Sequence, residues 1–215
     1  MTMTSKELED EVLRLRKEVA DYARVEDYIE IWKLMSIYTH LYHRLRNVEI
    51  PALFAQKTPG VSVEVSDSGV YEGLEGVKRF FEMFLVNTKK PGQIVLHQAV
   101  NPVIEINKDG TRAKGLFHSP GLASKWYDGK LTAIWWYGKY NVEFVKEDGK
   151  WKILKLQCAV IFQCRYDKGW VEDPMAGSTR CYEGAEPDKP STIYMPYNPY
   201  RINTFDPGLP EPYED

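Results

Sequence analysis

Ile134-Trp135-Trp136-Tyr137-Gly138-Lys139-Tyr140-Asn141-Val142-Glu143-Phe144 is followed by a polar turn, Lys146-Glu147-Asp148-Gly149-Lys150, and then by Trp151 and the run Ile153-Leu154-Lys155-Leu156-Gln157-Cys158-Ala159-Val160-Ile161-Phe162. In the first segment Ile134, Trp136, Tyr140, Val142 and Phe144 share one parity, while Lys139, Asn141 and Glu143 share the other. Side chains alternate across a strand, so this pattern lays one face on a core and turns the other outward. Asp148-Gly149 supplies the positive φ that a hairpin loop requires. The returning segment is apolar on both parities, as expected of a strand covered on both faces, in a sheet packed by a helix or by a subunit.

Upstream of this hairpin the periodicity changes. Residues 8–22 read as a helix, with Val12, Leu15, Val19 and Tyr22 at helical spacing among charged residues. This predicts an amphipathic arm that docks on the body or on another subunit. A second helix is expected over residues 25–46, with Ile31, Leu34, Tyr38, Leu41 and Leu45 on one stripe and Pro51 beyond its end. Residues 61–65 and 70–71 form a strand pair around Ser66-Asp67-Ser68-Gly69. Residues 73–87 return to helix, with Leu74, Val77, Phe80, Phe81 and Phe84 on the buried side. Strands are expected over 93–101, 103–106 and 111–118, before the aromatic hairpin. Helices first and strands afterwards predict an α+β fold, a curved antiparallel sheet with helices on one face.

The C-terminal segment differs. Eight of the thirteen prolines lie beyond residue 166, interleaved with Tyr182, Tyr194, Tyr197, Tyr200 and Tyr213. Mobile tails are poor in aromatics, so an extended strap laid over a surface is expected. The predicted organisation is a helical arm over 1–24, a central domain over 25–166 and the strap over 167–215. Net charge is −3, without the basic excess that nucleic-acid binding draws on. No run of about 18 apolar residues is present, so no membrane span is expected. Cys158, Cys164 and Cys181 read as free buried thiols. With no basic-then-apolar leader pattern, they point to the cytoplasm.

The order and spacing of several segments carry a resemblance to a known family. These are Tyr38-Thr39-His40-Leu41-Tyr42-His43, Tyr71-Glu72-Gly73-Leu74-Glu75-Gly76-Val77, His97 followed by Asn101-Pro102-Val103-Ile104-Glu105-Ile106, Ala113-Lys114-Gly115-Leu116-Phe117-His118, and residues 140–152. Together they resemble the SnoaL-like branch of the nuclear transport factor 2-like superfamily, over residues 25–166. The pattern looks most like its dehydratase members, scytalone dehydratase and bile-acid 7-alpha-dehydratase. The resemblance implies a cystatin-like cone, a bent sheet wrapped around helices with one apolar pocket at its wide end. It also implies cofactor-free chemistry in many members, and for the dehydratases a trimer. The doubly apolar strand, the arm and the strap independently predict a homo-oligomer, dimer or trimer.

Four histidines bound the acid–base options: His40, His43, His97 and His118. The resemblance places His97 and His118 where dehydratases carry a catalytic and a pocket residue, and Tyr38 where a phenol polarises a carbonyl. Strict alternation groups His118 with Arg112 and Lys114 on the outer face unless a bulge near Gly115 intervenes. His43 stands where many members carry aspartate, so the family's Asp–His pairing does not transfer. It also lies about 140° around the helix from Tyr38. Tyr42, Trp136, Phe117 and Phe162 are expected to contact substrate. His40 and His43 have helical metal-ligand spacing but no third ligand, so no metal and no cofactor is predicted. Nucleotide, serine-hydrolase and zinc motifs do not occur. The expectation is a dehydratase or isomerase acting on a hydrophobic cyclic or aromatic small molecule, with His97, Tyr38, His118 and His43 as the catalytic set. A non-catalytic ligand-binding or assembly module, or an accessory subunit of a ring-hydroxylating oxygenase, stays open, because this cone hosts unrelated functions.

Overall fold

The computed structural model describes residues 3–87, 89–174 and 184–214, the side chains of 20 and 84–87 aside. Two helices pack on one face of a curved, open sheet. The first, α1, spans Ser5–His43 as one helix. The two helices expected over 8–22 and 25–46 are joined, because no glycine or proline lies between them to break the backbone ladder. Its start is fixed by a capping box: Glu7 N–H donates to Thr4 Oγ1 (3.3 Å), and Thr4 N–H donates to Glu7 Oε2 (2.7 Å). It ends three residues earlier than expected, where Leu45 turns to φ 56°. A 3-10 helix over Asn47–Leu53 follows. Strands β1 (Ser62–Val65) and β2 (Gly69–Glu72) then lead into α2 (Gly73–Asn87). Val77, Phe80 and Phe81 bury the inner face of α2.

The remaining strands are β3 (Ile94–His97), β4 (Val100–Ile106), β5 (Arg112–Tyr127), β6 (Lys130–Glu147) and β7 (Lys150–Arg165). A short helix, α3, covers Gly169–Glu172. Sheet order is β2-β1-β7-β6-β5-β3, with β4 also on β5. Pairing is antiparallel as expected, except that β1 runs parallel to β7, so the sheet is mixed. The long connection between those strands makes a parallel pair possible.

The strand expected over 93–101 is divided. β3 and β4 lie end to end along one edge of β5, with a bulge between Val100 and Val103 and Asn101 at φ 50°. β5 is twice the expected length and runs through Ser119-Pro120-Gly121. Pro120 sits where the partner changes from β4 (His118↔Val100) to β3 (Gly121↔His97), and its carbonyl accepts from Gln98 N–H (3.1 Å). Its missing N–H therefore costs no ladder bond.

α1 is anchored through Asp27. Its Oδ1 accepts from Trp151 Nε1 (2.8 Å) and pairs with Lys146 Nζ (2.5 Å), tying the helix to the aromatic hairpin. The half of α1 before this point does not dock on the body: Val12, Leu15, Val19 and Tyr22 are all exposed. The strap does lie on the body. Val70 bridges Lys189, Tyr71 Oη donates to Ala185 O (2.8 Å), Tyr197 N–H donates to Ile161 O (2.7 Å), and Lys139 Nζ donates to Phe205 O (2.6 Å). Buried Glu64 accepts from Thr192 N–H (2.5 Å) and Gln157 Nε2 (2.9 Å). Cys158 and Cys164 are free and buried; Cys181 and Tyr182 lie outside the described residues, as does the Phe84 side chain.

Candidate active site

Between α1, α2 and the inner face of the sheet lies a cavity of about 50 Å³. Tyr38 and Tyr42 enter it from α1, His97 from β3, Lys125 from β5, Trp136 and Tyr140 from β6, and Cys158 and Gln163 from β7. This is room for a few water molecules, so a ring-sized ligand requires the walls to yield.

His97 is set by its neighbours on every side. Its ring stacks on Trp136, 3.9 Å between centroids and 15° between planes, with Tyr42 on another side at 5.5 Å. Across the β3–β5 ladder it faces Gly121, where a Cβ would come within 2.7 Å of His97 Cδ2. Its backbone is held by His43, whose Nε2 lies 2.9 Å from His97 N and 2.7 Å from His97 O. The His97 ring nitrogens have no hydrogen-bond partner among the described residues. Burial holds the imidazole well below the ordinary histidine range, and the Lys125 and His43 charges push the same way. His97 is therefore a neutral, half-buried imidazole lining this cavity.

The phenols sit together. Tyr38 meets Tyr140 edge-on at 5.6 Å and lies parallel to Tyr42 at 6.4 Å. Burial pushes Tyr38, Tyr42 and Tyr140 far above the usual phenol range, so they remain neutral hydrogen-bond donors. Burial likewise keeps the Cys158 thiol protonated.

His97, Tyr38, Tyr42 and Trp136 thus line one cavity. The other expected site residues do not. His43 stays behind the β3 backbone, on a different side of α1 from Tyr38. β5 keeps unbroken register with β6, so no bulge near Gly115 occurs and His118, paired with Lys139, remains on the outer face. Its Nδ1 lies 3.0 Å from Tyr137 Oη. Phe162 stacks on Trp170 at 5.1 Å on that same face. His118, Tyr137, Phe162, Trp170 and the strap residues Tyr197 and Phe205 border a separate hollow of about 490 Å³. Phe117 is fully buried in the core without lining the His97 cavity.

Lys125 and Gln163 are cavity residues that had no place in the expected site. Lys125 shares the inward parity of Gly121 and Ala123, in the part of β5 beyond the expected strand. Gln163 would face outward by strict alternation from Val160. The register shift that pairs Gly138 with Val160 and Tyr137 with Phe162 leaves Ile161 as an extra residue, and this turns Gln163 inward. The same bulge separates Cys158 from Cys164, which pairs with outward Trp135. Lys125 Nζ donates to Gln163 Oε1 (3.3 Å). Burial lowers Lys125 to about 8, partly opposed by the field of Asp67. No carboxylate lines the cavity among the described residues, and none of their His, Cys, Asp and Glu side chains gather in threes suited to a metal ion.

Three solved structures of similar fold give the comparison. One, from Novosphingobium aromaticivorans DSM 12444, is described provisionally as a scytalone dehydratase: 20% identity, 73% of this chain and 97% of that chain covered, TM-score 0.54. Another is a type 2 hexachlorocyclohexane dehydrochlorinase, LinA: 18% identity, 67% and 92% covered, TM-score 0.53. A third, also from N. aromaticivorans, is an NTF2-like protein with a cystatin-like fold: 14% identity, 68% and 90% covered, TM-score 0.50. At these identities the likeness is one of fold. No curated protein matches the chain. The profile of the SnoaL-like domain matches residues 23–157, well over half of the sequence. The chain therefore belongs to the SnoaL-like domain family of the NTF2-like superfamily.

Proposed function

We propose that this protein is a cofactor-independent lyase or isomerase acting on a hydrophobic cyclic or aromatic small molecule that carries a carbonyl group. One observation carries the reading: a neutral imidazole, its ring nitrogens without a hydrogen-bond partner among the described residues, lines a small cavity that also holds three neutral phenols. In a dehydration, a ring nitrogen of His97 takes the proton from the carbon next to the carbonyl. The C–H electron pair moves into the enolate, whose oxygen is held by Tyr38 and Tyr42. Collapse of the enolate forms the C=C bond and expels the β-hydroxyl, which leaves as water with the proton from His97. In an isomerisation the same proton returns to a different carbon. Desolvation makes a lone imidazolium costly, so proton transfer is favoured only where the enolate forms beside it as an ion pair. This restricts the chemistry to C–H groups already acidified by a carbonyl.

The test is solvent deuterium incorporation next to the carbonyl of 3-hydroxycyclohexanone, with release of cyclohexenone. Wild type is expected to catalyse both, and His97→Gln neither. Full activity in His97→Gln refutes the assignment. A second reading, a ligand-binding module without turnover, is favoured by the absence of a cavity carboxylate among the described residues; it predicts binding with no exchange. We further propose that the protein assembles as a homo-oligomer, since the exposed apolar residues of α1 find no cover among the described residues.

A further inference from the structure

Lys125 is a cation in the wall of an apolar cavity, and among the described residues it forms no salt bridge. Its one hydrogen bond, to Gln163 Oε1, engages one of three N–H donors. Because that bond fixes which amide atom faces the lysine, the other atom of Gln163 is a donor, Nε2. Gln163 is 2% exposed, and its Nε2 is buried without a hydrogen-bond partner. Lys125 is half-buried and the field of Asp67 offsets part of its charge, while the Gln163 amide is buried; an unpaired buried amide donor beside a lysine with spare donors is costly, and marks a place for a group that satisfies both. Each is a donor, so the missing group is an acceptor. Opposite a lysine, a negatively charged acceptor is matched best. The phenols and Trp136 supply the apolar remainder.

We infer that Lys125 Nζ and Gln163 Nε2 form a carboxylate-binding site beside His97, and that the ligand is a small hydrophobic carboxylic acid. This rests on the reading that the His97 cavity is the ligand site, and it narrows the substrate class to compounds that carry an acid group as well as the reacting carbonyl. Lys125 acts here as a specificity residue and takes no part in proton transfer. Its charge pairs with the carboxylate, and the Gln163 amide fixes the second oxygen.

The test measures binding of isobutyrate and benzoate, each against its amide, isobutyramide and benzamide, by calorimetry on wild type, Lys125→Met and Gln163→Leu. Wild type is expected to bind at least one acid ten-fold or more tightly than its amide. Lys125→Met should erase that preference by weakening acid binding far more than amide binding, and Gln163→Leu should reduce it several-fold. Thermal unfolding shows that each variant is folded. Acids binding no better than amides to wild type, or a preference that survives in folded Lys125→Met, overturns the inference. Acid preference with no deuterium exchange into 3-oxocyclohexanecarboxylate, which carries both the ketone and the acid, would retain this site and remove the enzymatic reading. Exchange without acid preference would do the reverse.

Discussion

The His97 imidazole lies flat on the Trp136 indole, 3.9 Å between centroids, while Gly121 on the neighbouring strand leaves the space that the His97 ring edge fills. The ring is therefore positioned by two residues that take no part in proton transfer. Gly121→Ala places a methyl within 2.7 Å of His97 Cδ2 and against the Leu96 carbonyl oxygen. Such overpacking costs about 1–3 kcal/mol. Urea unfolding should register that loss, and deuterium exchange should fall further than stability alone explains. Unchanged stability and exchange would show that the ring is not held this way.

Acid should destabilise the fold through the same histidine. His97 and His43 are both lowered mainly by burial, His43 against the opposing pull of its bond to the His97 backbone. The unfolded chain protonates its histidines near pH 6.5, while the folded chain resists until lower pH. Their contribution to stability is thus complete above about pH 6.5 and is lost as pH falls toward the folded values. Each group contributes a slope of at most about 1.4 kcal/mol per pH unit. Urea midpoints between pH 7.5 and 5 should fall, and His97→Gln should flatten the slope. An equal slope in that variant would contradict the neutral, buried assignment.

Asp27 ties the long helix to the hairpin. Asp27→Ala removes the partner of Lys146 and leaves the Trp151 indole N–H unbonded. Because Lys146 is partly exposed, the loss is expected at about 2–3 kcal/mol, below that of a fully buried pair. Chemical denaturation measures it; a change under about 0.5 kcal/mol would show that the anchor is dispensable.

The exposed half of α1 predicts association. With 39 residues the helix is about 58 Å long, and Val19 and Tyr22 are 67% and 76% exposed. Light scattering should give a mass above one chain, and deletion of residues 1–22 should lower it. A monomer at micromolar concentration would contradict the oligomer proposal.

Much of this arrangement was legible in local pattern. Helical spacing put Tyr38 on an inward stripe, and alternation did the same for Trp136 and Tyr140. Residues beyond the reach of pattern depend on long-range geometry. His43 meets the His97 backbone 54 positions away. Gln163 faces inward only because Ile161 is an extra residue, and an alternation count cannot see a bulge. Lys125 follows simple parity, but Ser119-Pro120-Gly121 reads as a strand end until β3 and β4 are seen to meet there. The continuity of α1 was hidden by its function-like division into a charged arm and an apolar stripe, although no backbone breaker separates them.

In the proposed chemistry His97 exchanges a proton with carbon. The most direct measurement is the rate at which solvent deuterium enters the carbon next to the carbonyl of 3-hydroxycyclohexanone, in wild type and in folded His97→Gln. Exchange is expected well above the buffer rate in the first and at the buffer rate in the second. Exchange at the buffer rate in both, or equal catalysis in both, would contradict it.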